Sequence, residues 1–125
     1  MSRLTSQMIA DLAVTHIETP FGDWFAKFKY HFPNTAPENQ LEALRRFETP
    51  GYPAYSNPRF WNAGYGIILT DEDGTDWIVD RRQLVDAFTR LPAPVRKRIM
   101  EDGAWDTIDA DALFQQATFD EIVYG

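Results

Sequence analysis

The clearest folding signal in the sequence is a pair of β-branched, aromatic-rich runs, residues 64–70 and 75–80, on either side of Asp73-Gly74. Gly and Asp tolerate the positive φ that a tight turn demands, so this pattern predicts a β-hairpin. A hairpin needs further secondary structure to cover its apolar face, and this requirement constrains the rest of the chain.

An amphipathic helix is predicted directly after the hairpin. Asp80 is expected to be its N-cap, and Gln83, three residues later, completes a capping-box pattern. The apolar side chains of this segment fall on one helical face, which we expect to lie on the sheet. They are Leu84, Val85, Phe88 and Leu91. These elements predict a scaffold but no chemistry.

The N-terminal part of the chain predicts a second hairpin. Residues 3–13 have helical spacing, whereas the β-branched composition of 14–19 favours a strand. A turn is expected at 20–23, followed by a strand over 24–32. Within that strand polar and aromatic side chains alternate, which is typical of a half-buried strand. The polar set is Lys27, Lys29 and His31, and the aromatic set is Phe28, Tyr30 and Phe32.

Three more helices are predicted: one at 37–47, one that begins at Pro94 and has Gly103 as the C′ residue after its end, and one at 110–118 with Asp109 as the cap. The tail from Phe119 to Tyr124 is expected to be an edge strand or an ordered extension. The stretch 49–62 is predicted to be a long irregular connection. The sequence thus predicts one compact α+β domain over residues 1–125, with an antiparallel sheet of two β-hairpins and several short helices packed on one face.

Composition excludes several classes of function. The chain has no cysteine, which rules out disulfides, thiolate catalysis and cysteine-based metal centres. It has neither a signal-peptide pattern nor an apolar run that could span a membrane, so we expect a cytoplasmic protein. The sequence contains no phosphate-binding or dinucleotide-binding glycine motif and no nucleophile elbow, so we expect no cofactor.

The net charge of −7 is unevenly distributed. Residues 81–98 hold six Lys and Arg residues against one Asp, a net +5, whereas 99–125 hold seven acidic residues and no basic one. So acidic a chain is a poor ligand for free nucleic acid, and a protein with a basic surface is the more plausible partner. The C-terminal carboxylates could imitate a row of phosphates, or they could simply be a solvated face. The candidate binding residues are Glu101, Asp102, Asp106, Asp109 and Asp111.

The connection 49–62 is the second candidate binding surface. It combines side chains that often dominate protein interfaces, because they offer a large contact area at low entropy cost. They are Tyr52, Tyr55, Arg59 and Trp61. The alternative is that these rings only cover the open end of the sheet.

Two carboxylate-containing groups are candidate metal or acid–base sites. His16 and Glu18 would share a face of the predicted strand 14–19, and His31 could lie near them in the first hairpin. The acidic turn 71–76 offers oxygen ligands, but it does not match the EF-hand pattern. For both groups the sequence favours a solvated surface over a functional site.

The sequence therefore favours a non-enzymatic acidic module that binds another protein. Its sharper version is an inhibitor from a mobile element that occupies the nucleic-acid-binding surface of a defence complex, of the anti-CRISPR or antirestriction type. One alternative is a small metal- or carboxylate-dependent enzyme. Another is a structural subunit that self-associates through a strand edge.

Overall fold

The computed structural model describes residues 3–19, 24–101 and 104–121, without the side chain of Ala26. These residues form a three-stranded antiparallel sheet with several helices, an α+β arrangement. In chain order the elements are α1 (Ser6–Glu18), β1 (Phe25–His31), α2 (Pro37–Arg45), a 3-10 turn (Ala54–Ser56), α3 (Pro58–Asn62), β2 (Gly66–Asp71), β3 (Asp76–Asp80), α4 (Arg81–Arg90), α5 (Ala93–Met100) and α6 (Thr107–Phe119).

The predicted central hairpin is confirmed as β2 and β3, which pair from Gly66↔Asp80 to Thr70↔Asp76. In the connection, the Asp71 amide donates to the Thr75 carbonyl at 2.9 Å, and the φ of Gly74 is +83°. Glycine is favoured at this position because positive φ is costly for other residues. Asp73, by contrast, does not take positive φ.

The predicted capping box at the start of α4 is also confirmed. The Asp80 carboxylate accepts a hydrogen bond from the Gln83 amide at 2.9 Å, and the Gln83 side chain accepts one from the Asp80 amide at 3.3 Å. Two donors at the helix terminus are satisfied in this way, so the helix starts immediately where β3 ends. Leu84, Phe88 and Leu91 are buried as predicted.

Strand β1 is confirmed, but its predicted hairpin partner is wrong. Residues 14–18 belong to α1, and β1 pairs with β2 in the order β1-β2-β3. Four buried residues of α1 explain the error, because their spacing is helical and their packing outweighs the β-branched composition of the segment. They are Ile9, Leu12, Ala13 and His16. The predicted turn 20–23 lies outside the described residues.

The two faces of the sheet differ in exposure. Phe28 and Tyr30 of β1, with Leu69 and Val79 of the neighbouring strands, pack into the core. Lys27 and Lys29 point to the opposite face and are exposed. Alternation along β1 therefore predicted which side the helices cover.

Helix α6 is the centre of the helical layer. It packs against α1, α4, α5 and β3. It begins at Thr107 with Asp106 as its N-cap, so the predicted start at 110 and the predicted Asp109 cap are wrong. Every residue from Asp109 to Gln116 is buried, which a helix achieves only when other elements surround it.

Helices α2 and α5 lie near their predicted positions, whereas α3 and the 3-10 turn lie in the stretch 49–62, where the prediction of an irregular connection is wrong. Helix α2 ends at Arg45 rather than at 47, and its N-cap is Ala36. Helix α5 spans Ala93–Met100, and its predicted C′ residue, Gly103, lies outside the described residues. Phe119 is the last residue of α6, and the rest of the predicted tail 119–124 lies mostly outside the described residues. Among the described residues, no helix has the length and apolar character needed to cross a bilayer.

Candidate functional site

The aromatic connection is ordered rather than irregular. Thr49 and Tyr52 exchange two backbone hydrogen bonds, of 3.1 and 2.8 Å, across the pair Pro50-Gly51. Gly51 has φ +82°, as the third residue of a Pro-Gly type II turn requires. This turn holds Tyr52 at its end, and 67% of the Tyr52 side chain is exposed.

The four predicted binding residues of this connection separate in the structure. Tyr52 and Arg59 are exposed. Trp61 is completely buried, and its indole donates to the Tyr55 carbonyl at 2.8 Å, so it fixes the backbone and offers no binding surface. Tyr55 is also buried, except that its hydroxyl reaches Glu18. Trp61 and Tyr55 are thus part of the hydrophobic core.

A groove of about 470 Å³ lies between α1 and this connection. We call it the acidic–aromatic groove, because two carboxylates and two partly exposed aromatic rings line it. Its lining residues are Asp11, Val14, Thr15 and Glu18 of α1, Gly51, Tyr52, Pro53 and Ser56 of the connection, and Trp105. The volume lies within the range of small-ligand sites.

Both carboxylates of the groove are held by neutral donors. The Gln7 side chain donates to Asp11 at 3.0 Å, and the Tyr55 hydroxyl donates to Glu18 at 2.8 Å. Burial of Tyr55 and the adjacent Glu18 carboxylate raise the pKa of the Tyr55 phenol, so this hydroxyl remains a donor at neutral pH. Neither carboxylate forms an ion pair with a Lys or Arg in the described part of the chain.

The groove is therefore negatively charged, and no described Lys or Arg lines it. A cation that entered would meet two carboxylates together with the rings of Tyr52 and Trp105. Carboxylates attract a cation, and aromatic faces add about 0.5–2 kcal/mol per cation–π contact, depending on desolvation. The arrangement suits an ammonium or guanidinium group better than an anion.

The predicted acidic surface of the C-terminal segment needs correction. Asp109 and Asp111 are each only 2% exposed, so the expectation that they display charge to a partner is wrong. Glu101 and Asp106 are exposed, and Asp102 lies outside the described residues. Asp106 is occupied as the N-cap of α6, where it accepts from the Asp109 amide at 3.0 Å. No row of displayed carboxylates remains along α6.

The two buried aspartates have structural partners instead. Asp109 accepts two hydrogen bonds from the Arg98 guanidinium, at 2.8 and 2.9 Å, which tie α6 to α5. Asp111 accepts from the Trp24 indole at 2.6 Å and from the Gln115 amide at 2.5 Å. Burial raises the pKa of Asp111, although both donors act in the opposite direction.

His16 lies beside this buried carboxylate. Its Nδ1 is 3.7 Å from an Asp111 oxygen, too far for a hydrogen bond, and its ring stacks on Phe114 with centroids 4.3 Å apart. Neither ring nitrogen has a hydrogen-bond partner in the described structure. Burial lowers the pKa of His16 to about 3, so the imidazole is neutral at physiological pH.

The predicted group of His16, Glu18 and His31 does not exist as a site. Residues 16 and 18 are on a helix, where they lie on different sides, and His16 is buried whereas Glu18 is exposed. His31 is at the end of β1. Within the described ranges, no cluster of His, Asp or Glu is arranged to hold a metal ion.

The acidic turn 71–76 is also explained by local structure. The Asp71 carboxylate accepts from the amides of Asp73 and Thr75, at 2.9 and 3.0 Å, and from the Trp77 indole at 2.8 Å. The hydrogen bond from Trp77 is the main reason that the pKa of Asp71 is lowered. Asp71 thus closes the hairpin.

Sequence reasoning missed Asp11, Glu18 and Trp105 as groove residues. Residues 11, 15 and 18 share one helical face, so reading residues 6–18 as a single helix would have aligned the two carboxylates. Trp105 comes from the segment before α6 and reaches the groove only through tertiary packing. Comparisons with known proteins found no matching family model, no similar curated protein and no similar solved structure.

Proposed function

We propose that this protein is a binding module that receives a basic side chain of a partner protein in the acidic–aromatic groove. The observation that carries the proposal is one groove in which the carboxylates of Asp11 and Glu18 lie together with the rings of Tyr52 and Trp105. Among the described residues, no Lys or Arg forms an ion pair with either carboxylate. Lys and Arg are the protein side chains that match both features.

Local hydrogen bonds that order the groove support the proposal. The Pro-Gly turn holds Tyr52, while the Tyr55 hydroxyl holds Glu18 at 2.8 Å. A preorganised site loses less conformational entropy when a ligand binds. The partner remains a protein with a basic surface, as the overall charge of −7 predicts, and we expect the encounter to occur in the cytoplasm.

The inhibitor hypothesis now requires the acidic–aromatic groove as the binding surface in place of the C-terminal segment. Occupation of a basic nucleic-acid-binding site by this protein would use the two exposed carboxylates of the groove, because Asp109 and Asp111 are buried. Such a complex would be weakened by salt, since surface charges are screened within about 10 Å at 0.1 M ionic strength.

The test is binding of a labelled arginine-rich peptide, followed by fluorescence anisotropy at low and moderate salt. The double variant Asp11→Asn/Glu18→Gln should weaken binding at least tenfold, because it removes both groove charges and keeps their shapes. The control Glu38→Gln/Glu42→Gln changes the net charge equally on the exposed side of α2, and it should bind within twofold of the natural protein.

Two results would contradict the proposal: no saturable binding to the natural protein, or an equal loss of affinity in both variants. The second result would show that only net charge matters. Once peptide binding is established, the same variants can be compared as baits in a pull-down experiment. A specific partner should bind to the control variant and should not bind to Asp11→Asn/Glu18→Gln.

A further inference from the structure

A second cleft, of about 510 Å³, lies between the N-terminal segment and α4. Three arginines line it, Arg3 from the segment before α1 and Arg81 and Arg82 from the first turn of α4. The remaining lining residues are Val85, Asp86 and Thr89. This cleft thus concentrates positive charge in a chain of net charge −7, and it shares no lining residue with the acidic–aromatic groove.

These three arginines differ from Arg90 and Arg98, which form ion pairs. Arg90 pairs with Asp86 and Asp120, and Arg98 pairs with Asp109. No carboxylate of the described chain lies within 4.0 Å of the guanidinium nitrogens of Arg3, Arg81 or Arg82. Their charges are therefore available to a ligand.

Arg81 is held in position. Its Nε donates to the Ser6 hydroxyl at 3.2 Å, and that hydroxyl donates to the Asn62 side chain at 2.6 Å. This chain of hydrogen bonds uses only Nε, and no described residue accepts a hydrogen bond from the two terminal amino groups of Arg81, so both remain for an anion. Asp86, the one acid in the cleft, already has Arg90 as its partner.

From this arrangement we infer that the cleft binds the phosphoryl group of a small molecule. Planar guanidinium groups donate paired hydrogen bonds that match the oxygens of phosphate, and several of them together suit its double negative charge. The cleft is larger than one phosphate ion needs, and Val85 and Thr89 offer a surface for the organic part of a phosphate monoester.

The experiment is isothermal titration calorimetry of the full chain at pH 7.5 and constant ionic strength, with chloride as the background anion. The probes are inorganic phosphate and two monoesters, glycerol 3-phosphate and adenosine monophosphate. Saturable 1:1 binding of a monoester, tighter than that of inorganic phosphate, is the expected result. Equal binding of all three would overturn the assignment to a monoester and leave a site for the ion alone.

The variants test where binding occurs. Arg3→Gln/Arg82→Gln removes two exposed guanidinium groups that have no described partner, so the fold should be retained, and monoester binding should fall at least tenfold. The control Arg45→Gln/Arg46→Gln makes the same change of charge at the C-terminal end of α2, where both side chains are exposed, and it should bind within twofold of the natural protein. The inference fails if nothing binds, or if both double variants lose affinity equally.

Discussion

His16 gives the most quantitative prediction about this fold. The side chain is 1% exposed, its two nitrogens lack hydrogen-bond partners in the described structure, and burial lowers its pKa from 6.5 to about 3. In the unfolded chain the same imidazole takes up a proton near its ordinary pKa. The two states therefore bind different numbers of protons over several pH units.

The sign and size of the effect follow from linkage. The folded pKa is lowered, so the stabilisation is present above pH 6.5 and is lost as the pH falls toward 3. Each pH unit below 6.5 costs about 1.4 kcal/mol, because the unfolded state gains a proton that the folded state excludes. Between pH 7 and pH 5, His16 should thus lower the free energy of unfolding by about 2 kcal/mol.

The assay compares the natural protein with His16→Leu by chemical denaturation at pH 7 and pH 5. Leucine has a similar volume and does not titrate. The natural protein should lose about 2 kcal/mol more stability on acidification than the variant. At pH 7 the variant should be at least as stable, because two unsatisfied buried nitrogens cost about 1–3 kcal/mol each, whereas the lost stacking on Phe114 is worth about 0.5–1.5 kcal/mol.

The alternative to a neutral His16 is a protonated His16 that is paired with Asp111. Because burial raises the pKa of Asp111, the contribution of this aspartate has the opposite sign: stability is lost as the pH rises through its folded pKa. That contribution is present in both proteins, so it largely cancels in the comparison. If the natural protein instead loses less stability than His16→Leu on acidification, His16 is protonated in the fold and paired with Asp111 across the 3.7 Å gap.

Three further predictions concern stability and the groove. Gly66→Ala should lower the free energy of unfolding, measured by chemical denaturation, by at least 2 kcal/mol, because the new Cβ would collide with a backbone carbonyl of β3. A stability within about 0.5 kcal/mol of the natural protein would contradict this. Arg98→Ala should lower the free energy of unfolding by about 3 kcal/mol, because it leaves the buried Asp109 carboxylate unpaired. Asp109→Asn should cost less, because the Arg98 guanidinium is 46% exposed and can be hydrated. The reverse order of the two variants in thermal denaturation would count against this reasoning. Tyr55→Phe removes the donor to Glu18 and should weaken arginine-peptide binding about threefold to tenfold in the anisotropy assay, and unchanged affinity would show that this hydrogen bond does not organise the groove.

Local signals in the sequence predicted the central hairpin and α4 well. Gly74 favours the hairpin turn, and Asp80 and Gln83 form the capping box of α4. Both features involve only residues that are close in sequence, so they do not depend on the rest of the fold. The alternation of Lys27 and Phe28 likewise reported the two faces of β1 correctly.

Segments whose structure depends on tertiary packing were harder to predict. The β-branched residues after Val14 favoured a strand, but the buried side of α1 extends to His16 and the helix continues. Burial of Asp109 and Asp111 was not predictable from the charge pattern, because it depends on Arg98 and Trp24 from other elements. A cluster of acids along the chain does not reveal which carboxylates reach the solvent.

The groove has some residues that could be predicted from local sequence and one that depends on tertiary packing. Tyr52 was predicted as a binding residue from composition alone, and the structure places it beside Asp11 and Glu18. These two acids lie seven residues apart and would have been noticed in a correctly extended α1. Trp105 is separated from α1 by most of the chain, so only the folded structure brings it to the groove.

Nuclear magnetic resonance of the tryptophan indoles tests the central claim most directly. The ¹⁵N-labelled protein is titrated with a short arginine peptide while the indole N–H signals are followed. Trp105 lines the groove, whereas Trp24 and Trp61 are buried and donate to Asp111 and Tyr55. We predict a saturable shift of the Trp105 signal with little change in the two buried indoles, and the shift should be absent in Asp11→Asn/Glu18→Gln. An unmoved Trp105 signal, or an equal shift in that variant, would contradict the proposal that the groove binds a basic side chain.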